Sequence, residues 1–135
     1  HYHLIALNDF LEHVPKNDIV SLLRTLGEGL APGGVLAVNS PQAAGFTSLY
    51  NRYIDFTHRM VFTELSLNYV LRAAGFSEVR FVRERWSLKF TPRHLAYRAA
   101  RWTWFRILKL IYFIELPGMK HPGTFHTRIF AVAKP

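Results

Sequence analysis

The chain contains no cysteine, which excludes disulfide staples and thiolate metal sites and is in keeping with a reducing compartment. It also has no apolar run of the ~18–20 residues needed to cross a bilayer. No secretory leader precedes the first apolar segment, so the expectation is a cytoplasmic protein, with membrane association at most peripheral. The seven prolines and eight glycines are dispersed, which leaves no low-complexity linker. Acidic residues are scarce: nine against 17 Lys and Arg, for a net charge of +8. Such a chain favours anionic partners. The bases crowd between Arg80 and Lys109 rather than covering the sequence evenly, and no nucleic-acid module is recognisable, so nucleic acid is not an expected partner. There is no initiator Met, and the sequence begins inside an apolar segment, as though something had been removed.

Half of the residues are hydrophobic, enough for one compact domain with its own core. Tyr2 to Leu7 reads as a strand buried on both faces. Ile19, Leu22, Leu23, Leu26 and Leu30 fall at helical spacing behind Asn17 and Asp18 as caps, and Pro32-Gly33-Gly34 stops that helix. Val35 to Val38 is a second apolar strand, closed by Asn39-Ser40-Pro41, and residues 42–60 read as a long polar-aromatic loop. Thr63 caps a further helix whose Leu67, Val70, Leu71 and Ala74 share a face, and Gly75-Phe76 ends it as a left-handed cap with its apolar contact. Glu78 to Trp86 alternates as a strand. Thr91-Pro92 opens a long aromatic-rich helix that Pro117-Gly118 stops, and Phe125 to Ala133 is a last strand. A strand–helix–strand unit of this kind is almost always a right-handed crossover in a parallel sheet.

Three motifs carry a resemblance. Asp9-Phe10-Leu11-Glu12-His13-Val14-Pro15, then Leu30-Ala31-Pro32-Gly33-Gly34-Val35-Leu36, then Phe62-Thr63 with Leu67 and Ala74-Gly75-Phe76, stand in order on the expected elements. Together they resemble the fourth-strand, fifth-strand and sixth-strand segments of class I S-adenosylmethionine-dependent methyltransferases. Asp55-Phe56-Thr57-His58-Arg59 is similar to bacterial members encoded among polysaccharide and cell-envelope biosynthesis functions. The resemblance implies an α/β fold: a partial Rossmann-like sheet in the order four, five, seven, six, its last strand antiparallel, with a helical insertion at about 91–117. It also implies that residues 1–135 form the C-terminal half of the domain. The family's glycine loop is nowhere in the sequence, since Gly27-Glu28-Gly29 falls in a helix, and His3 stands where the family usually has an acid.

By the same resemblance, the backbone at Leu7, Asn8 and Asp9 lies against S-adenosylmethionine at the carboxyl edge of the sheet. Asp9 and Asn8 are equally suited to be turn residues. Similarity to quinone-type O-methyltransferases implies a divalent cation, magnesium or manganese, on Asp9, Glu12 and His13; the plainer reading is that Glu12 and His13 fix the loop onto the next helix. His58 beside Asp55 has the composition of a general base, with His13 as a further catalytic candidate. Tyr50, Arg52 and Tyr53 are the expected substrate contacts.

The expected activity of the complete protein is methyl transfer to a small-molecule or glycan-like acceptor, the fragment alone being inactive. The competing reading is a non-catalytic binding or scaffold module. The stretch 93–116 is read as a lid or as a membrane-peripheral helix. Lacking its natural neighbour, the Tyr2–Leu7 strand is expected to pair with a second copy in a homodimer.

Overall fold

The computed structural model describes residues 1–83, 91–119 and 121–135. They fall into two compact units, His1–Arg83 with His126–Pro135, and Glu84–Phe125.

In the first unit the elements are β1 (Tyr2–Asn8), a 3₁₀ turn (Leu11–His13), α1 (Ile19–Glu28), β2 (Leu30–Pro41), α2 (Ser48–Tyr53), α3 (Glu64–Ala73), β3 (Glu78–Val82) and β4 (Arg128–Lys134). The strands form one sheet in the order β1-β2-β4-β3. β1 and β2 are parallel, while β4 runs antiparallel to both of its neighbours, β2 and β3. This is the expected four-five-seven-six order with its last strand reversed.

The core lies on one face of this sheet. Leu36 and Val38 of β2 and Ile129, Ala131 and Ala133 of β4 are buried at every second position. Against them pack Ile19 and Leu23 of α1 and Leu67 and Leu71 of α3, each pair one helical turn apart. The intervening strand residues Val35, Ala37, Phe130 and Val132 are only half-buried. The expectation that the Tyr2 to Leu7 strand is buried on both faces needs correcting. In β1, Tyr2 is 67% and Leu4 59% exposed, because among the described residues β1 has a strand neighbour only on the β2 side.

Local chemistry explains the boundaries. Thr63 accepts from the Ser66 amide while Ser66 Oγ accepts from the Thr63 amide, a reciprocal capping box at the start of α3. Gly75 closes α3 at φ +106°, where a side chain is disfavoured, and sends Phe76 into the core. The Phe76 ring lies over Gly27 of α1, where an added Cβ would stand 3.3 Å from the ring. That helix, by contrast, begins with no cap bond from the Asp18 side chain and ends at Glu28, so Leu30 belongs to β2 rather than to the helical face. Pro32-Gly33-Gly34 does not precede the second strand but bends it from within: the pairing slips between Tyr2 and Leu4, and a Cβ on Gly34 would meet the Tyr2 carbonyl at 2.8 Å. The third strand is Glu78–Val82 and stops before Arg83, short of the expected Trp86; residues 84–86 of that expectation lie outside the described residues. Residues 42–60 are not all loop, since α2 forms within them.

In the second unit α4 (Pro92–Glu115) starts at Thr91, whose hydroxyl accepts from the His94 amide, with proline in the first turn. Phe105 and Tyr112 each stack obliquely on Phe125, at ring-centre distances of 5.9 and 5.3 Å.

Candidate functional site

The carboxyl ends of β1 and β2 lie side by side, with Asn8 opposite Asn39, and in open α/β sheets this is the edge that receives ligands. Immediately beyond β1, Asp9 turns the chain with φ +49°, a conformation that Asp tolerates better than most residues. The turn delivers Leu11, Glu12 and His13 beneath the end of β2. Leu11 and Glu12 are fully buried.

A second segment arrives from the long connection. Its far end is pinned to β2: the Phe62 amide donates to the Pro41 carbonyl and the Ala43 amide to the Phe62 carbonyl. Just before that anchor, the Arg59 and Met60 amides both donate to the Glu12 carbonyl, at 2.7 and 3.3 Å. Arg52 on α2 donates to the carbonyls of His58 and Arg59. The result brings His58 against His13, ring centres 4.8 Å apart, although 44 residues separate Thr57 from His13 in sequence.

Hydrogen bonding fixes the proton positions on both imidazoles. His58 Nδ1 lies 2.8 Å from the Asn51 carbonyl, which can only accept, so that nitrogen carries the hydrogen. Thr57 Oγ1 donates to Asp55 Oδ1 at 2.7 Å, and with its one hydrogen so used it accepts from His13 Nδ1 at 2.8 Å. Each neutral ring therefore keeps its lone pair on Nε2. Asp55 lies between the two. Its Oδ1 holds Thr57 through both hydroxyl and amide, and its Oδ2 stands 3.9 Å from His58 Nε2. The Thr57 hydroxyl, then the Thr57 amide, hold the Asp55 carboxyl below its ordinary value, with a smaller contribution from His58 and His13. Asp55 and His58 do stand side by side, as expected, but at ion-pair rather than hydrogen-bond distance. The closer link runs from Asp55 through Thr57 to His13.

Beneath the histidines the Glu12 carboxyl is fully buried. Oε2 accepts from Ser40 Oγ at 2.9 Å, and Oε1 has no hydrogen-bond partner. Glu12, His13 and His58 each offer a ligand atom, all within 4.8 Å of one another. Asp9, grouped with Glu12 and His13 by sequence, is not in this cluster. Its carboxylate pairs instead with Arg128 at the start of β4. Arg128 Nε also donates to Asn39 Oδ1 at 2.9 Å, Asn39 Nδ2 donates to Asn8 Oδ1, and Asn8 Nδ2 reaches Asp9 Oδ2 at 3.4 Å. The side chains of Asn8 and Asp9 thus close a four-membered polar ring on the sheet edge. Leu7, in β1, keeps its backbone in the ladder opposite Val38.

A cavity of about 590 Å³ opens over the histidines, lined by His13, Arg52, Phe56, Thr57, His58 and Arg59. Tyr50 and Tyr53 stand exposed on α2 nearby, the latter ring under the Arg52 guanidinium at 5.1 Å. Sequence reading missed Thr57, Ser40, Asn39 and Arg128. The last two had a visible cue as polar residues abutting apolar strand runs, whereas Thr57 and Ser40 acquire meaning only through partners remote in sequence.

Comparison with known proteins bears on this geometry. A methyltransferase domain family pattern matches residues 1–80. Among solved structures, the chain is similar to a SAM dependent methyltransferase from Archaeoglobus fulgidus, with 17% identity and a TM-score of 0.62 over 99% of this chain. That match covers 60% of the archaeal chain, so the present sequence spans well under the whole of it. No curated protein matches the chain. At that identity the structural likeness speaks for the fold, while the family pattern extends over more than half of the sequence and over every element that builds the cavity floor. The chain belongs to the methyltransferase domain family.

Proposed function

We propose that the protein containing this chain transfers a methyl group from S-adenosylmethionine to a nucleophile held in the cavity over His13 and His58. The carrying observation is the pair of imidazoles whose Nδ1 atoms are both committed, which leaves Nε2 of each as a proton acceptor beside a carboxylate. When bound, the donor supplies an activated methyl group on a cationic sulfur. In-line displacement then requires only orientation, exclusion of water and removal of one proton from the acceptor.

His58 Nε2 is the base in this reading. As it takes the proton, the imidazolium gains the Asp55 carboxylate at 3.9 Å, so its charge is stabilised where it forms. His13 packs beside it, its tautomer fixed through Thr57. Arg52 donates to the carbonyls of His58 and Arg59 and so holds the base in place, while its position in the cavity lining leaves it available as the substrate contact its sequence suggested. Exposed Tyr50, Tyr53 and Phe56 offer apolar ring faces to a small or glycan-like acceptor. The ring of Asn8, Asp9, Asn39 and Arg128 forms the wall toward the donor, and the glycine loop that completes a donor site comes from outside these residues. The test is transfer of labelled methyl from S-adenosylmethionine to a panel of hydroxylated acceptors by the full-length protein. His58→Ala should lower turnover by about 100-fold or more. Unchanged turnover removes the base assignment.

One observation favours a second reading of the same atoms. Glu12 Oε1 is buried without a partner, a costly arrangement unless water or a cation meets it. Glu12, His13 and His58 would then hold a divalent ion, a carboxylate and two imidazoles suiting manganese or zinc better than magnesium. The ion would polarise an acceptor oxygen, and the two Nε2 atoms would be ligands instead of bases. Equilibrium titration of the full-length protein with manganese and zinc separates the readings. Stoichiometric binding abolished by Glu12→Gln supports the cation, and absence of binding excludes it.

A further inference from the structure

The contacts that hold His58 in place also set a positive group beside it, one that the proton transfer does not use. Arg59 follows His58 directly, and its backbone is tied down on both sides. Its amide donates to the Glu12 carbonyl at 2.7 Å, and its carbonyl accepts from Arg52 Nη2 at 2.8 Å. The Arg59 side chain, by contrast, is exposed and makes no hydrogen bond or ion pair among the described residues. Arg59 nonetheless lines the cavity over the histidines, as Arg52 does. The Arg52 guanidinium already donates to two carbonyls and lies over the Tyr53 ring. That of Arg59 keeps its N–H donors uncommitted on an anchored backbone, a fork of the shape that takes a carboxylate or phosphate through paired hydrogen bonds.

The charges around the cavity favour an anion. Its lining holds two arginines and two histidines and no acid. The two nearby carboxylates are turned to other partners. Asp55 gives Oδ1 to Thr57 and faces His58 with Oδ2, while Glu12 is fully buried and accepts from Ser40. An anion at Arg59 therefore meets no carboxylate in the lining. The exposed Phe56 ring, in the same lining, offers an apolar face to the body of the bound molecule. At about 590 Å³ the cavity falls within the range of small-molecule sites.

We propose that the cavity takes a hydroxyl compound bearing an oxyanion, its carboxylate or phosphate held by the Arg59 guanidinium while its hydroxyl meets His58 Nε2. This rests on the methyl-transfer reading. The acceptor oxygen gains the methyl group as the sulfur–methyl bond breaks, its proton passes to His58, and the oxyanion takes no part in bond making. Binding is measured apart from transfer, on the full-length protein, by NMR of the His13 and His58 imidazoles during titration with glucuronate, glucose phosphate and glucose. Saturable shifts are expected with a charged sugar and not with glucose, and they should weaken as salt is raised. The tighter of the two charged sugars identifies the oxyanion. Arg59→Gln should raise the dissociation constant by about tenfold or more. Its side chain has no protein partner among the described residues, so the fold should be unaffected. Arg24→Gln removes the same charge from an exposed position on α1, outside the cavity lining, and should leave binding unchanged. Binding that Arg59→Gln weakens supports the site even where no sugar is methylated, a result that would count against the catalytic reading alone. Shifts that sodium chloride reproduces at equal ionic strength overturn the proposal, as do shifts that Arg59→Gln leaves intact or that Arg24→Gln reduces equally. So does absence of binding by both charged sugars, or methylation of glucose in preference to them.

Discussion

Ser40→Ala is a small change with a large expected cost. Ser40 and Glu12 are both fully buried, and the Ser40 hydroxyl is the one donor to the Glu12 side chain among the described residues. Removing it deletes a bond to an acidic group and leaves both carboxyl oxygens buried without a donor. A hydrogen bond to a charged group contributes about 1.5–3 kcal/mol, and an orphaned buried group costs about 1–3 kcal/mol. The two overlap, so a loss of about 2–4 kcal/mol is expected for the single substitution. Adding Glu12→Met replaces the orphan with an apolar side chain of similar length. Exchanging both partners for apolar groups is far less costly than removing one, so the double variant should be more stable than Ser40→Ala alone. Equilibrium urea unfolding of the full-length protein measures both, with a chelator present so that no cation on Glu12 Oε1 masks the effect. A Ser40→Ala loss below about 0.5 kcal/mol, or a double variant less stable than the single, would refute the reasoning.

Phe76→Ala empties the space between α1 and α3, with Phe76 at 2% exposure, and should cost about 3–5 kcal/mol in the same assay. Thr63→Ala breaks the capping box and should cost about 1 kcal/mol; a loss indistinguishable from zero would show the cap to be dispensable. Because its folded value is depressed, the Asp55 carboxyl adds stability that is present above its ordinary value of 3.8 and is lost as pH falls through the lower folded value. Carbon-detected NMR titration should place its midpoint below 3.8, and Thr57→Val should move it upward. A wild-type midpoint at or above 3.8 would contradict the hydrogen bonding described.

Much of the fold was legible because local signals agreed with each other. Thr63 as a cap, Gly75 followed by an apolar anchor, and period-two burial in the last strand each depend on residues a few positions apart, and each stands as expected. What escaped depended on distant partners. Pro32-Gly33-Gly34 looked like punctuation before a strand, but pairing with β1 carries the strand through it as an irregularity. The six-residue α2 has too little periodicity to announce itself and is fixed partly by Arg52 bonds that reach past its end. At the site, His13, His58 and Asp55 do meet, but the connecting Thr57 and the capture of Asp9 by Arg128, 119 positions away, are tertiary facts. Composition picks out groups able to do chemistry, whereas register decides which of them share a cavity.

The place of β4 in the sheet has a temporal consequence. Among the described residues β3 has no strand beside it except β4, pairing Glu78 with Lys134 and Val82 with Phe130. During synthesis β3 must therefore wait, unpaired, while the whole of α4 is made, until the later segment slides in between it and β2. Formation of that half of the sheet is a late, long-range event. A nick anywhere in the intervening stretch would turn one folding reaction into the meeting of two pieces.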